Sequence, residues 1–144
     1  IAIARRAASM RPSFSGRSIM SSSRIAVAFA HAPVRAAVRA LGFGRRYRLD
    51  GAQLPGKPDL VFGALGKVVF VHGCFWHGHD CKRGARQPKD NAAYWRAKIG
   101  RNVARDKASL KALRGDGWSA LVVWECETRD GAALSRKLAS FLSQ

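Results

Sequence analysis

Between Ile25 and Leu41 the apolar positions recur at helical spacing, with Val34, Val38 and Leu41 on one face and Arg35 and Arg39 on another. The Ala, Val and Leu content supports a helix that Pro33 should break or restart and that Gly42 should close. Tyr47 and Leu49 read as a short strand, and Asp50-Gly51 and Pro55-Gly56 as turns. Pro58 to Phe62 and Lys67 to Val71 are apolar runs joined by Gly63-Ala64-Leu65-Gly66, a hairpin by length and turn chemistry. With Ala64 and Leu65 as the turn, antiparallel pairing puts Asp59 opposite Phe70 or Val71.

A long helix is expected from about Ala92 to Leu113, with Asp90 as its N-cap. Its apolar positions are Tyr94, Trp95, Ile99, Val103 and Leu110. Arg96, Lys98, Arg101, Arg105, Lys107 and Lys111 form a basic spread, and Asp106 is its only acid. Gly115 and Gly117 end it, Trp118 to Trp124 is the next strand, and Leu134 to Leu142 is a final amphipathic helix. This order predicts an α/β fold, a mixed sheet flanked by helices. The chain has no internal repeat and no glycine-rich phosphate loop.

Charge changes the picture more than length does. The 144 residues suit one domain, and no hydrophobic run approaches a membrane span. Lys and Arg total 26 against 9 acids, a formal charge of +17, which exceeds the needs of solubility and points to a polyanion such as nucleic acid. The excess is uneven: residues 1–49 carry +10 with no acid, and residues 50–144 carry +7. Residues 1–23 read as a flexible basic arm, although their Arg-rich and Ser-rich composition also fits a transit peptide, and residues 24–144 as the folded domain. The chain begins with Ile, and Met10 and Met20 are alternative starts.

The densest chemistry lies in His72-Gly73-Cys74-Phe75-Trp76-His77-Gly78-His79-Asp80-Cys81. Cys74, His79 and Cys81 offer three of the four ligands of a tetrahedral zinc, and Cys126, at the end of an apolar run, is the remaining cysteine. Buried thiols and loop histidines would be the ordinary reading of such residues taken singly. Their clustering, and an odd cysteine count that does not suit a disulfide framework, favour zinc. His77 is then left in a metal-stiffened loop, free to act as a general base. Phe75 and Trp76 are adjacent aromatics in a polar loop, so at least one is expected to be exposed for stacking or insertion. Asp59 falls beside His72 at the mouth of this loop; as a bland alternative it is a turn aspartate. Asp106 is either an ordinary helix ion-pair partner or the orienter of a histidine base.

The segments Leu54 to Phe62, Val69 to His77, Tyr94 to Asn102 and Val123 to Cys126 together resemble the very-short-patch repair (Vsr) DNA mismatch endonucleases, over about Leu41 to Asp130. The resemblance implies a restriction-endonuclease-like core, a structural Zn²⁺ and a Mg²⁺-dependent site that nicks duplex DNA 5′ to the T of a T·G mismatch left by 5-methylcytosine deamination. By position it makes Asp59 the Mg²⁺ carboxylate, with the main-chain carbonyl of Val71 as a second ligand. His77 becomes the base, with Asp106 and His72 in support. Cys74, His79, Cys81 and Cys126 become the zinc ligands, and Phe75, Trp76 and Trp95 the wedge beside the mismatch. It further implies a monomer in the bacterial cytoplasm, working on nucleoid DNA and in contact with mismatch-repair proteins. One departure stands out: the family carries a glutamate in the first helix, and this chain has no acid before Asp50. That departure admits a zinc-stabilised DNA-binding protein without nuclease activity, and a homing-type endonuclease of the same fold is a further alternative.

Overall fold

The computed structural model describes residues 30–49 and 51–144. The basic arm expected over residues 1–23 lies outside the described residues. The first described element, α1, covers residues 30–40, with Pro33 in the first turn of its described part. The carbonyl that the missing Pro33 N–H would have used belongs to residue 29, outside the described part. Gly42, at φ 88°, ends the helix as expected.

Four strands follow: β1 (Arg48–Leu49), β2 (Leu60–Phe62), β3 (Lys67–His72) and β4 (Ser119–Trp124), in that spatial order. The first two pairings are antiparallel and β3 pairs with β4 in parallel. A parallel neighbour needs a crossover. Helix α2 (Ala92–Gly115) lies in that connection, and α3 (Gly131–Leu142) follows the sheet.

Period-two alternation gives the sheet two apolar faces. Leu60, Phe62, Val69, Val71 and Val123 pack with Val34 and Val38 of α1 and Leu134, Leu138 and Leu142 of α3. Val61, Val68 and Phe70 face the other way, onto Leu113 of α2. All six β3 residues are buried, as suits a strand covered on both faces. Lys67 at its start escapes an unpaired burial by donating from Nζ to the Phe141 carbonyl at 2.7 Å, at the C-terminal end of α3.

The β2–β3 connection is a single 3-10 turn, Gly63–Leu65, closed by Gly66 at φ 62°, rather than a two-residue turn at Ala64-Leu65. The register nevertheless pairs Leu60 with Val69, which brings Asp59 level with Phe70. The Asp59 N–H donates to the Val69 carbonyl at 3.0 Å. Entry into α2 also differs from expectation: Asn91, not Asp90, precedes the helix, in a left-handed conformation at φ 56° and without a side-chain cap. Asn tolerates that conformation better than most residues, so the sharp turn displaces the capping position by one.

Candidate active site and metal cluster

Beyond β3 the chain does not leave the sheet freely. The His77 N–H donates to the Gly73 carbonyl at 3.2 Å and the His79 N–H to the Cys74 carbonyl at 3.0 Å, folding the loop back over the strand end. Asn102 of α2 ties it down by donating from Nδ2 to the Trp76 carbonyl at 2.9 Å. Gly84 completes the curl, because a Cβ there would overlap the His79 carbonyl.

This fold gathers Cys74, His79, Cys81 and Cys126, whose ligand atoms all lie within 4.8 Å of one another. Cys126 arrives from the 3-10 turn Glu125–Arg129 after β4. That turn is fixed by Glu127, which accepts from the Trp124 N–H at 2.8 Å, and by the Arg83–Glu125 ion pair at 3.0 Å. Burial pushes the Cys74 thiol up to about 12 and also raises Cys126. The Gly84 N–H bonded to its sulfur lowers Cys81 to about 6. Three such sulfurs cannot all carry charge at this separation without a cation between them. Three sulfurs and an imidazole nitrogen are the donor set of a closed structural zinc site, so these residues fit the metal.

Next to it, His72, His77 and Asp106 form a second group within 4.8 Å. His77 Nδ1 is 2.6 Å from Asp106 Oδ2, and its ring stacks on His72 with centroids 3.9 Å apart and planes 5° from parallel. Burial, and then the neighbouring His77, hold His72 down at about 4, so it is a neutral ring at neutral pH. A cavity of 270 Å³ opens beside this group, with Lys107 and Val103 of α2 among its walls.

Asp59 immediately precedes β2, outside the His72–His77–Asp106 group. Its Oδ2 accepts from the Val71 N–H at 2.7 Å, and its Oδ1 lies 3.4 Å from His31 Nε2. Burial raises its carboxyl above the ordinary carboxylate value. Residue 71 thus meets Asp59 through its main chain, so its apolar side chain is free to pack in the core.

The aromatics form one cluster. Phe75, Trp76 and Trp95 pack against one another with centroids 5.3 to 5.9 Å apart, and all three are half-buried. The exposed ring is Tyr94, at 52%, packed on Trp95. Lys98 Nζ sits 5.5 to 5.7 Å from the Trp76, Tyr94 and Trp95 rings. Neither Lys98 nor His31 stands out in the sequence. Lys98 is one base among many on α2, and His31 is far from every histidine of the loop. Spacing from the aromatics at 94 and 95 could have marked Lys98, since three and four residues apart is one helix face; no local signal marks His31.

A mixed sheet with a carboxylate and histidines gathered at strand ends, on a strongly basic chain, suits metal-assisted hydrolysis of nucleic acid. Residues 16–83 match the family described as DNA mismatch endonuclease Vsr. The chain is 48% identical over 108 residues to the type II nicking enzyme V.XorIIP of Xanthomonas oryzae pv. oryzae, covering 74% of this chain and 79% of that protein. It is 42% identical over 95 residues to the type II nicking enzyme V.NmeAIP of Neisseria meningitidis serogroup A, covering 66% and 67%. It is 43% identical over 88 residues to the DNA mismatch endonuclease Vsr of Escherichia coli, covering 61% and 56%. The chain belongs to the Vsr family of DNA mismatch endonucleases.

Proposed function

We propose that this endonuclease nicks duplex DNA 5′ to the T of a T·G mismatch, with His77 as the general base. The observation that carries the reading is the 2.6 Å contact between His77 Nδ1 and Asp106 Oδ2. A proton on Nδ1, donated to Asp106, leaves Nε2 as the acceptor for a proton from water. The flat stack on neutral His72 limits tilting of the ring without adding positive charge. Asp59 and the Val71 carbonyl would hold Mg²⁺, which supplies charge stabilisation to the phosphorus oxygens during hydrolysis. Asp59 fits that duty: one oxygen is fixed by a backbone N–H and desolvation raises its half-buried carboxyl, so a cation would favour its ionised form.

Cys74, His79, Cys81 and Cys126 would hold Zn²⁺ in a structural role, stiffening the loop on both sides of His77. Phe75, Trp76 and Trp95 provide an apolar wedge, and unstacking a step costs least where pairing is already poor. Such an enzyme acts as a monomer on chromosomal DNA in the bacterial cytoplasm, alongside mismatch-repair proteins.

The test is incubation of the purified chain with Mg²⁺ and an end-labelled T·G duplex beside its fully paired control. One nick, 5′ to the mismatched T and absent from the control, is expected; equal cutting of both duplexes would overturn the reading. Binding that prefers T·G without any nick would favour a DNA-binding protein. The observation on that side is that α1, among its described residues, presents no carboxylate.

A further inference from the structure

We infer that His31 and Asp59 hold one divalent cation between them, and that the imidazole arm makes this site favour Mn²⁺ over Mg²⁺. The inference rests on the reading of Asp59 as the metal carboxylate and adds a ligand that the sequence motifs do not contain. His31 Nε2 is buried from solvent and, among the described residues, makes no hydrogen bond. It nevertheless lies 3.4 Å from Asp59 Oδ1. A histidine committed to pairing with a carboxylate would align its N–H on the oxygen and close to about 2.8 Å. Two adjacent ligands on an octahedral cation with bonds of about 2.1 Å are instead roughly 3 Å apart. The observed gap is that of a slightly opened pair of ligands rather than of a finished ion pair.

The surroundings agree. The second Asp59 oxygen is taken by the Val71 N–H, so the carboxylate is turned with Oδ1 toward the imidazole. His31 is carried on α1, whose Val34 and Val38 are fully buried against the sheet, so the ring is presented by a packed helix. A cavity of 380 Å³ opens on the pair, large enough for the waters of a cation and a phosphate, and Arg35 and Lys57 line it as the groups to meet that phosphate. Lys57 holds a left-handed backbone, φ 53°, to stand there. Mg²⁺ takes oxygen ligands and gives up its waters reluctantly, whereas Mn²⁺, which suits carboxylate and water as Mg²⁺ does, is a transition ion that also accepts imidazole nitrogen.

The experiment uses the zinc-loaded full chain and MnCl₂, read by electron spin resonance, with MgCl₂ as competitor. The parent is expected to bind Mn²⁺ at least tenfold more tightly than Mg²⁺, with spin-echo modulation from a ligated imidazole nitrogen. His31→Gln should lose that modulation and tenfold or more in Mn²⁺ affinity; His31→Glu, which offers oxygen instead, should lose the modulation and move the preference toward Mg²⁺. Melting temperatures within a few degrees of the parent show that both variants fold. Nitrogen modulation and Mn²⁺ affinity unchanged in both His31 variants would overturn the inference while leaving Asp59 in place, provided Asp59→Asn abolishes binding. Parent-like Mn²⁺ binding by Asp59→Asn would overturn this inference and the Asp59 reading together.

Discussion

His77 Nδ1 and Asp106 Oδ2, on a loop and a helix separated by 29 residues, meet at 2.6 Å. The contact selects a tautomer, and selection of a tautomer is the kind of effect that a conservative change exposes. Asp106→Asn keeps shape but can also present its amide N–H to Nδ1, turning the imidazole's free nitrogen into the wrong form. We expect nicking to fall roughly 10²–10⁴-fold in Asp106→Asn and in His77→Ala, with T·G binding retained. Single-turnover nicking assays beside gel-shift binding check this; near-parent nicking by either variant would falsify the base assignment.

Cys126 meets Cys74, His79 and Cys81 from the neighbouring parallel strand's end, so it ties the loop after β3 to the turn after β4. Cys126→Ser should lose zinc and thermal stability together, since metal binding is coupled to folding of the loop. Gly84→Ala should do the same without touching a ligand, because its methyl group would enter the His79 carbonyl. Zinc content by atomic absorption and melting by circular dichroism read both. Full occupancy in Cys126→Ser removes that residue from the shell.

The thiols themselves predict a proton count. With Cys74 held at about 12 and Cys126 raised, both are protonated at pH 7.5, whereas Cys81, at about 6, is already a thiolate. Zinc uptake by the folded metal-free chain should therefore release about two protons. Calorimetry in buffers of different ionisation enthalpy measures the number. A value near three would mean that the loop unfolds without metal, because free cysteines titrate near 8.5.

His72 sets a pH dependence of stability. Its folded value, about 4, lies below the ordinary 6.5, so below pH 6.5 the unfolded chain binds a proton that the folded chain does not. Stability is therefore unaffected above pH 6.5 and declines as pH falls from 6.5 toward 4, by up to about 3 kcal/mol. Urea unfolding of the parent and of His72→Gln at matched pH isolates this contribution, because other groups, including the zinc ligands, cancel in the difference. Parallel curves for the two proteins would count against it.

Trp76 packs in the aromatic cluster, 5.6 Å from Trp95 and 5.3 Å from Phe75, with its carbonyl fixed by Asn102. Trp76→Ala should weaken the preference for T·G over T·A by about 1–3 kcal/mol, the scale of one stacked base, with little change in salt dependence. Equal weakening on both duplexes would assign Trp76 to general packing.

Much of this was legible in the chain because it is local. The two faces of β2 and β3 follow from alternation of apolar residues, and the pairing of Asp59 beside Phe70 follows from hairpin length even though the turn takes a different form. The grouping of Cys74, His79 and Cys81 is almost contained in their spacing. The family motifs supplied Cys126 and Asp106, and composition supplied a polyanionic partner. The N-cap of α2 is not legible in the chain because it depends on backbone conformation at a single residue, which propensity describes only on average.

What the sequence determined by itself, then, is the sheet, the family and the residues at its strand ends, since periodicity and motif spacing act over a few residues. Tertiary structure alone decided which distant groups meet: His31 of α1 with Asp59 just before β2, Lys98 with three rings, and His72 flat on His77. The physical reason is that those contacts depend on how helices pack across the sheet faces. That packing is fixed by buried side chains such as Val34, Val38 and Leu113, whose effect on a remote histidine or lysine leaves no periodic trace in the chain.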